Sequence, residues 1–364
     1  MHWSPQQELA LAAVDAWLKT GERPVFRLFG YAGTGKTTLA RHIAEHVDGS
    51  VVYAAFTGKA AHVMRSKGCT DAGTIHSLIY RTRGEDEDGP TFALNRESAA
   101  AKAAMIIIDE CSMVDEDIGK DLLSFGKPVL VLGDPAQLPP VTGGGFFTAA
   151  EPDVMLTEVH RQAEDDPIIK LSMIVRDGGT LSYGRYGESS VVSRRELDPG
   201  AVLSADTVLV GRNNTRRAYN GRIRELLGRP LPTPVAGDML VCLRNDRKRG
   251  LLNGSLWHVD QARAPRKGLL RYTLSADEAE RGKGRTTVSI NPSYFDGTTE
   301  AMTPAERKRS DAFDFGYVLT VHKSQGSQWD DVVLFDESFA FRENAWRWLY
   351  TGITRAARRV SIVR

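Results

Sequence analysis

Gly30-Tyr31-Ala32-Gly33-Thr34-Gly35-Lys36-Thr37 has the spacing G-x-x-x-x-G-K-[ST] of a loop that wraps nucleotide phosphates. The glycines at 30, 33 and 35 let the backbone curl until several N–H groups aim at one anion. With Thr34 and Thr38 they form the candidate nucleotide cradle. Lys36 is placed to neutralise β- and γ-phosphates, and the Thr37 hydroxyl is a candidate Mg²⁺ ligand. Further along, Ile106-Ile107-Ile108 runs into Asp109-Glu110. Adjacent carboxylates there can divide labour. Asp109 would hold Mg²⁺ with Thr37, and Glu110 would orient or deprotonate an attacking water. Gln137, in Gly133-Asp134-Pro135-Ala136-Gln137-Leu138-Pro139-Pro140, can touch the γ-phosphate or that water. The same residues also suit a structural turn. Arg161 and Arg355 are candidates to reach the γ-phosphate from a facing domain and so link closure to the nucleotide. The Gln7 amide can pair bidentately with adenine N6 and N7. Ser4-Pro5-Gln6-Gln7 also reads as a helix-capping segment.

These groups need elements to hold them. Val25–Phe29 reads as a buried strand before the glycine loop, and Leu39, Ile43 and Val47 follow at helical spacing. The runs 51–56, 105–108 and 129–132 are short and apolar, as in strands buried on both faces. Strands alternating with helices imply a parallel doubly wound sheet, whose ligands bind beyond the strands' carboxyl ends. Residues 78–103 interrupt the alternation with an acidic, turn-rich stretch, read as an inserted β-hairpin or a disordered loop. A second alternating pattern starts at Thr207–Val210, with an arginine-rich helix at 215–227. Residues 237–313 read as a small antiparallel β insertion. The parallel pattern resumes at 317–320, 332–335 and 360–363.

The chain has 364 residues, so two main domains are expected. A net charge of +1 gives no argument for a nucleic-acid ligand. The three cysteines form no C-x-x-C pair, which favours a reducing cytoplasm over a zinc or disulfide framework. No apolar run approaches the ~18–20 residues of a membrane span, and the first residues are no signal peptide. Local basic clusters do exist: Arg244, Arg247, Lys248 and Arg249; Arg263, Arg266, Lys267 and Arg271; Arg281, Lys283 and Arg285. Trp257, Tyr272, Trp329 and Phe92 are candidate stacking surfaces for bases, or core residues.

Taken in order, the blocks resemble the 5′→3′ superfamily 1B helicases, the RecD-like and Dda-like branch. Thr57-Gly58-Lys59-Ala60-Ala61, Ala72-Gly73-Thr74-Ile75-His76, the Gly133–Pro140 block and Leu319-Thr320-Val321-His322-Lys323-Ser324-Gln325-Gly326-Ser327-Gln328 carry the resemblance. It implies two RecA-like motor domains with ATP between them and Gly326 on the nucleotide. Thr57, Lys59, Thr74, His76, Thr320, His322, Lys323 and Ser324 would track a single DNA strand. The implied layout is motor domain 1A at 1–77 and 104–160, a wedge hairpin at 78–103, motor domain 2A at 161–236 and 314–364, and an SH3-like insertion at 237–313. The expected activity is ATP-dependent 5′→3′ unwinding with ATP and Mg²⁺. Expected partners are single-stranded DNA, its junctions with duplex, and replication or recombination proteins, met by a monomer in the cytoplasm. Alternatives are a translocase that displaces proteins with little unwinding, or a nucleotide-switched DNA-binding or loading protein. Phe56 stands where a proline usually precedes the Thr57 block, and the hairpin is short and acidic at its tip.

Overall fold

The apolar runs become the strands of two largely parallel sheets. The computed structural model describes residues 3–86, 89–139, 145–159, 165–229, 232–246, 249–251, 253–276 and 285–364, with backbone alone over 82–91. In the first half, β1 (Val25–Gly30), β2 (Val51–Ala55), β3 (Gly73–Thr74), a hairpin of β4 (Tyr80–Asp86) and β5 (Gly89–Leu94), β6 (Met105–Asp109), β7 (Val129–Gly133) and β8 (Val154–Leu156) follow one another. Six of them form a sheet in the order β3-β2-β6-β7-β1-β8, and every pairing in it is parallel.

Alternate residues of these strands serve opposite layers, because successive side chains in a strand point to opposite faces. Phe26, Leu28, Ile107 and Leu132 pack against α1 (Pro5–Thr20) and α2 (Lys36–Glu45). Phe29, Ile106, Ile108 and Val131 pack on the other face with Ile75 and Phe147. The 78–103 segment holds an antiparallel hairpin, with Tyr80 opposite Leu94.

The second sheet collects β9 (Gly184–Tyr186), β10 (Ser189–Val192), β11 (Thr207–Val210), β17 (Val318–Thr320), β18 (Trp329–Phe335) and β19 (Ala356–Val363), in the order β17-β11-β18-β19-β10-β9. Only β9 in it runs antiparallel to its neighbour. A five-stranded antiparallel sheet lies between β11 and β17 in the chain: β12 (Met239–Cys242), β13 (Leu256–Arg266), β14 (Leu269–Ala276), β15 (Arg285–Ile290) and β16 (Phe313–Phe315), ordered β15-β14-β13-β12-β16. Trp257, Tyr272, Leu274, Val288 and Phe313 fill its core.

The arginine-rich helix spans Asn213–Leu226, and two of its arginines point inward. Arg216 Nη1 donates to Asp314 Oδ2 at 2.8 Å, and Arg224 grips Asp238 with Nε and Nη2 at 3.2 and 3.0 Å. Both side chains of the second pair are fully buried, and the Arg224 guanidinium lies over the Phe315 ring at 4.2 Å. Removing one charge of such a pair strands the other in a low-dielectric interior. Asp238→Asn is therefore expected to lower unfolding stability by about 3–5 kcal/mol, read by denaturant titration. The double change Arg224→Met, Asp238→Leu should recover most of it. An Asp238→Asn protein within about 1 kcal/mol of the parent would show that the pair is not stranded by the change.

Candidate functional site

β1 ends at Gly30, and α2 starts at Lys36 behind a turn whose Gly33 and Gly35 hold φ of +80° and +79°. Those left-handed values are cheap only without a Cβ. No side chain caps the N-terminus of α2, so its first N–H groups are left for an anion. In this arrangement Lys36 Nζ donates to the carbonyls of Gly30 and Tyr31 at 2.6 and 2.9 Å. The buried Thr34 donates its hydroxyl to the Tyr31 carbonyl.

A cleft of about 500 Å³ opens over this loop. Gly33, Gly35, Lys36, Thr37, Thr38, Asp109, Glu110 and Gln137 line one side. Gly326, Ser327, Thr354 and Arg355 line the other, all from the second α/β unit. Thr37 Oγ1 donates to Asp109 Oδ2 at 3.2 Å, and the Glu110 N–H donates to Asp109 Oδ1 at 2.8 Å. Burial pushes the Asp109 carboxyl pKa up, and the Glu110 charge adds to this against the pull of its N–H bond and Lys36. Glu110 itself sits at φ 52°, ψ 46°. A non-glycine residue there stores strain of about 1–3 kcal/mol. Gln137 Oε1 is buried with no hydrogen-bond partner among the described residues. Arg355 is buried, with Nε on the Thr351 carbonyl at 3.1 Å and Nη1 on the Ser327 carbonyl at 3.2 Å.

A polar seam closes the base of the cleft. The Tyr350 hydroxyl donates to Asp134 Oδ2 at 2.7 Å and accepts from the Ala32 N–H of the glycine loop at 2.9 Å. Next to it, the Leu138 N–H donates to Thr351 Oγ1 at 2.7 Å, and the Gln325 amide donates to the Leu138 carbonyl. Burial raises the Asp134 carboxyl, opposed chiefly by Lys36 and the Tyr350 hydroxyl. Burial and Asp134 together push the Tyr350 phenol far up, so it stays a donor. Gly326 marks another close approach: a Cβ there would lie 2.9 Å from Thr57 Oγ1.

The sequence profile described as an AAA domain matches residues 3–196, more than half of the chain. A second, described as a UvrD-like helicase C-terminal domain, matches residues 315–363. The chain belongs to the superfamily 1B helicases. It is 30 % identical over 363 residues to the ATP-dependent RecD2 DNA helicase of Deinococcus radiodurans, covering 90 % of this chain and 45 % of that one. It is 34 % identical over 164 residues to the ATP-dependent DNA helicase dda of Enterobacteria phage T4, covering 41 % of this chain and 37 % of that protein. The chain thus spans less than half the length of these two relatives. The crystal structure of Bacteroides Pif1 bound to ssDNA superposes with a TM-score of 0.57 at 20 % identity, covering 99 % of this chain and 92 % of that one. The expected fold class, two RecA-like parallel-sheet units with small β insertions, holds.

Family membership sharpens what the geometry brings together. Lys36, Thr37, Asp109, Glu110, Gln137 and Arg355 share one cleft, whereas Arg161 lies outside the described residues. Gln7 is buried beside the loop. Its amide donates to the Thr34 carbonyl at 3.1 Å, and its oxygen accepts from Ser4 N–H, so it completes a capping box.

The candidate strand-tracking residues fall on both halves. Thr57 caps α3 (Gly58–Ser66), and Lys59 Nζ lies 3.9 Å above the Trp329 ring. Thr74 caps the turn that holds His76, whose ring meets Phe92 edge-on at 4.3 Å. Thr320 accepts from the Lys323 N–H, and His322 packs 5.5 Å from Phe341. Ser324 is a correction. It is fully buried and donates to the Val321 carbonyl, so it shapes the turn and offers no surface to a strand.

The stacking and basic candidates also change. Trp257, Tyr272 and Trp329 are buried, and of the four only Phe92 is exposed. Arg244 spends its guanidinium on the Arg307 and Ser310 carbonyls, and Arg249 on Asp246 and Asp311. Arg247, Lys248, Arg281 and Lys283 lie outside the described residues. No helix among the described residues is long and apolar enough to cross a membrane.

Sequence reasoning missed Tyr350, Thr351 and Gln325. The signal was a tyrosine and a threonine within the apolar helix Ala345–Ile353 just ahead of Arg355. Tyr350→Phe keeps the ring but leaves Asp134 and the Ala32 N–H short of a partner. It is expected to cost about 1–3 kcal/mol and lower the thermal midpoint with far-ultraviolet circular dichroism unchanged. An unchanged midpoint would mean that the seam does not form in solution.

Proposed function

We propose that this chain is an ATP-driven motor on single-stranded DNA, a 5′→3′ DNA helicase with its hydrolytic site between two RecA-like domains. The observation that carries this is the single cleft, in which a phosphate loop and a carboxylate pair on one unit face Arg355 on the other. The named activities of the relatives support it, as does the bound strand of the Bacteroides structural neighbour. In this reading 1–77 with 104–160 is motor domain 1A, 78–103 the wedge, 161–236 with 314–364 motor domain 2A, and 237–313 the SH3-like module. The chain would work as a monomer in the cytoplasm on single strands and their duplex junctions.

The site's own residues divide the work as follows. Lys36 leaves the Gly30 and Tyr31 carbonyls and turns its charge to the β- and γ-phosphates, while the N–H groups at the start of α2 hold the same anion. The Gln7 amide, beside the loop, would meet adenine after releasing the Thr34 carbonyl. Thr37 and Asp109 fit a small divalent cation, since a hydroxyl and a partly buried carboxylate converge there. Bound Mg²⁺ would neutralise phosphate charge at that point. Glu110 orients the attacking water, and Gln137, with its unpartnered oxygen, is placed to contact that water or the γ-phosphate. Arg355, and Arg161 by resemblance, add positive charge from the facing side. Loss of the γ-phosphate removes the charge both sides share, so the cleft reopens and the grip on the strand alternates.

The named activities of the relatives do not favour the alternatives, a translocase with little unwinding or a nucleotide-switched binding protein. The variants below test the site. Lys36→Ala should abolish turnover and weaken ATP binding. Glu110→Gln should keep binding and lower turnover by about 100- to 10,000-fold. Arg355→Ala should lower turnover by about 1,000-fold or more with single-strand affinity preserved. These are read by steady-state phosphate release and nucleotide titration. Retained turnover in the Lys36 and Glu110 variants would remove the site assignment.

A further inference from the structure

β11, β17 and β18 run parallel, so the loops after them share one edge of the second sheet. Thr320 ends β17 there, and His322 and Lys323 follow it. Gly211 and Arg212 follow β11, and Glu337 to Phe341 follow β18. The edge is tightly built. Glu337, 1 % exposed, accepts from the Gly211 and Arg212 N–H groups, the Arg212 guanidinium and the Thr215 hydroxyl at 2.6–2.9 Å. Arg212 is thereby anchored at its root although its side chain remains 56 % exposed. Its guanidinium lies over the Phe339 ring at 5.6 Å.

Phe339 is 68 % exposed, and Phe92 is the other exposed phenylalanine among the described residues. The neighbouring backbone is constrained. Arg342 is held at φ 47°, ψ −119°, and Phe341 stacks on Trp348 at 5.3 Å while packing against Gly211 and His322. Strain of this kind persists where surroundings over-determine it, and it gathers at ligand sites. The first unit offers a partial counterpart: exposed Phe92 lies against His76, and on the second unit Phe341, two residues after Phe339, lies against His322.

We infer that Phe339, backed by Arg212, is a stacking platform for an unstacked base of single-stranded nucleic acid on the second motor unit, the partner of Phe92 on the first. This rests on the reading of the chain as a single-strand motor. The chemistry suits it. Every base has a π face that an aromatic ring can meet without sequence preference. The guanidinium, anchored on Glu337, keeps an exposed face beside the ring that can donate to the adjoining phosphate. Two rings on separate units give each unit its own hold on the strand.

The test is fluorescence anisotropy with labelled oligothymidylate and an abasic strand of equal length, on the parent chain, Phe339→Ala and Phe339→Trp. The parent should bind oligothymidylate more tightly than the abasic strand. Phe339→Ala should weaken oligothymidylate binding by about five- to a hundred-fold, the range of one base–aromatic stack, with abasic binding, thermal midpoint and DNA-free ATP turnover unchanged. Phe339→Trp should restore affinity. Phe339→Ala binding oligothymidylate like the parent would overturn the platform and leave the motor reading standing. Equal loss on the abasic strand would also overturn it, because the lost contact would then not be to a base. A parent chain with no affinity for either strand would overturn the motor reading itself.

Discussion

Everything the cleft can do depends on how the two α/β units are held together at its base. A buried carboxylate without a partner is costly, and so is an unpaired N–H. Asp134 and the Ala32 N–H are both on the first unit, and both are satisfied by one hydroxyl from the second, that of Tyr350. The phosphate loop is therefore shaped in part by the opposite unit. A shift of the second unit must break or carry that hydroxyl, and either alters the loop on which phosphates would rest. This is a physical route from an anion in the cleft to the relative position of the units. It does not require a contact at long range.

The polar groups of the cleft are held in different ways. Lys36 is folded onto two carbonyls, Gln137 Oε1 has no partner among the described residues, and Glu110 is strained. Each feature is unfavourable or provisional by itself. Lys36 must give up both carbonyls to meet a phosphate, whereas the left-handed backbone fixes Glu110 beforehand.

Much of this was legible in the sequence because it is local. The phosphate loop is eight consecutive residues, and Ile106–Asp109 is a buried strand with a carboxylate at its carboxyl end. What was not legible depends on pairs far apart in the chain. Arg216 meets Asp314 across 98 residues, so an arginine-rich helix that suggests a charged surface turns two of its arginines into the protein. Likewise Arg244 and Arg249 look like a nucleic-acid patch in a one-dimensional reading and are committed to internal carbonyls and carboxylates. Ser324 lies in a block read as strand-tracking, and only the fold of the turn reveals that it faces inward. Glu110's left-handed backbone has no signature in residue type. The net charge of +1 fits this picture, since many cations are already paired and strand affinity must come from a few placed groups.

The central claim is that nucleotide chemistry in this cleft is coupled to movement on a single strand. The most direct test is ATP turnover with and without single-stranded DNA, followed by unwinding of partial duplexes bearing either a 5′ or a 3′ tail. Strong stimulation by the strand and unwinding from the 5′ tail alone are expected. ATP turnover indifferent to DNA would contradict that coupling.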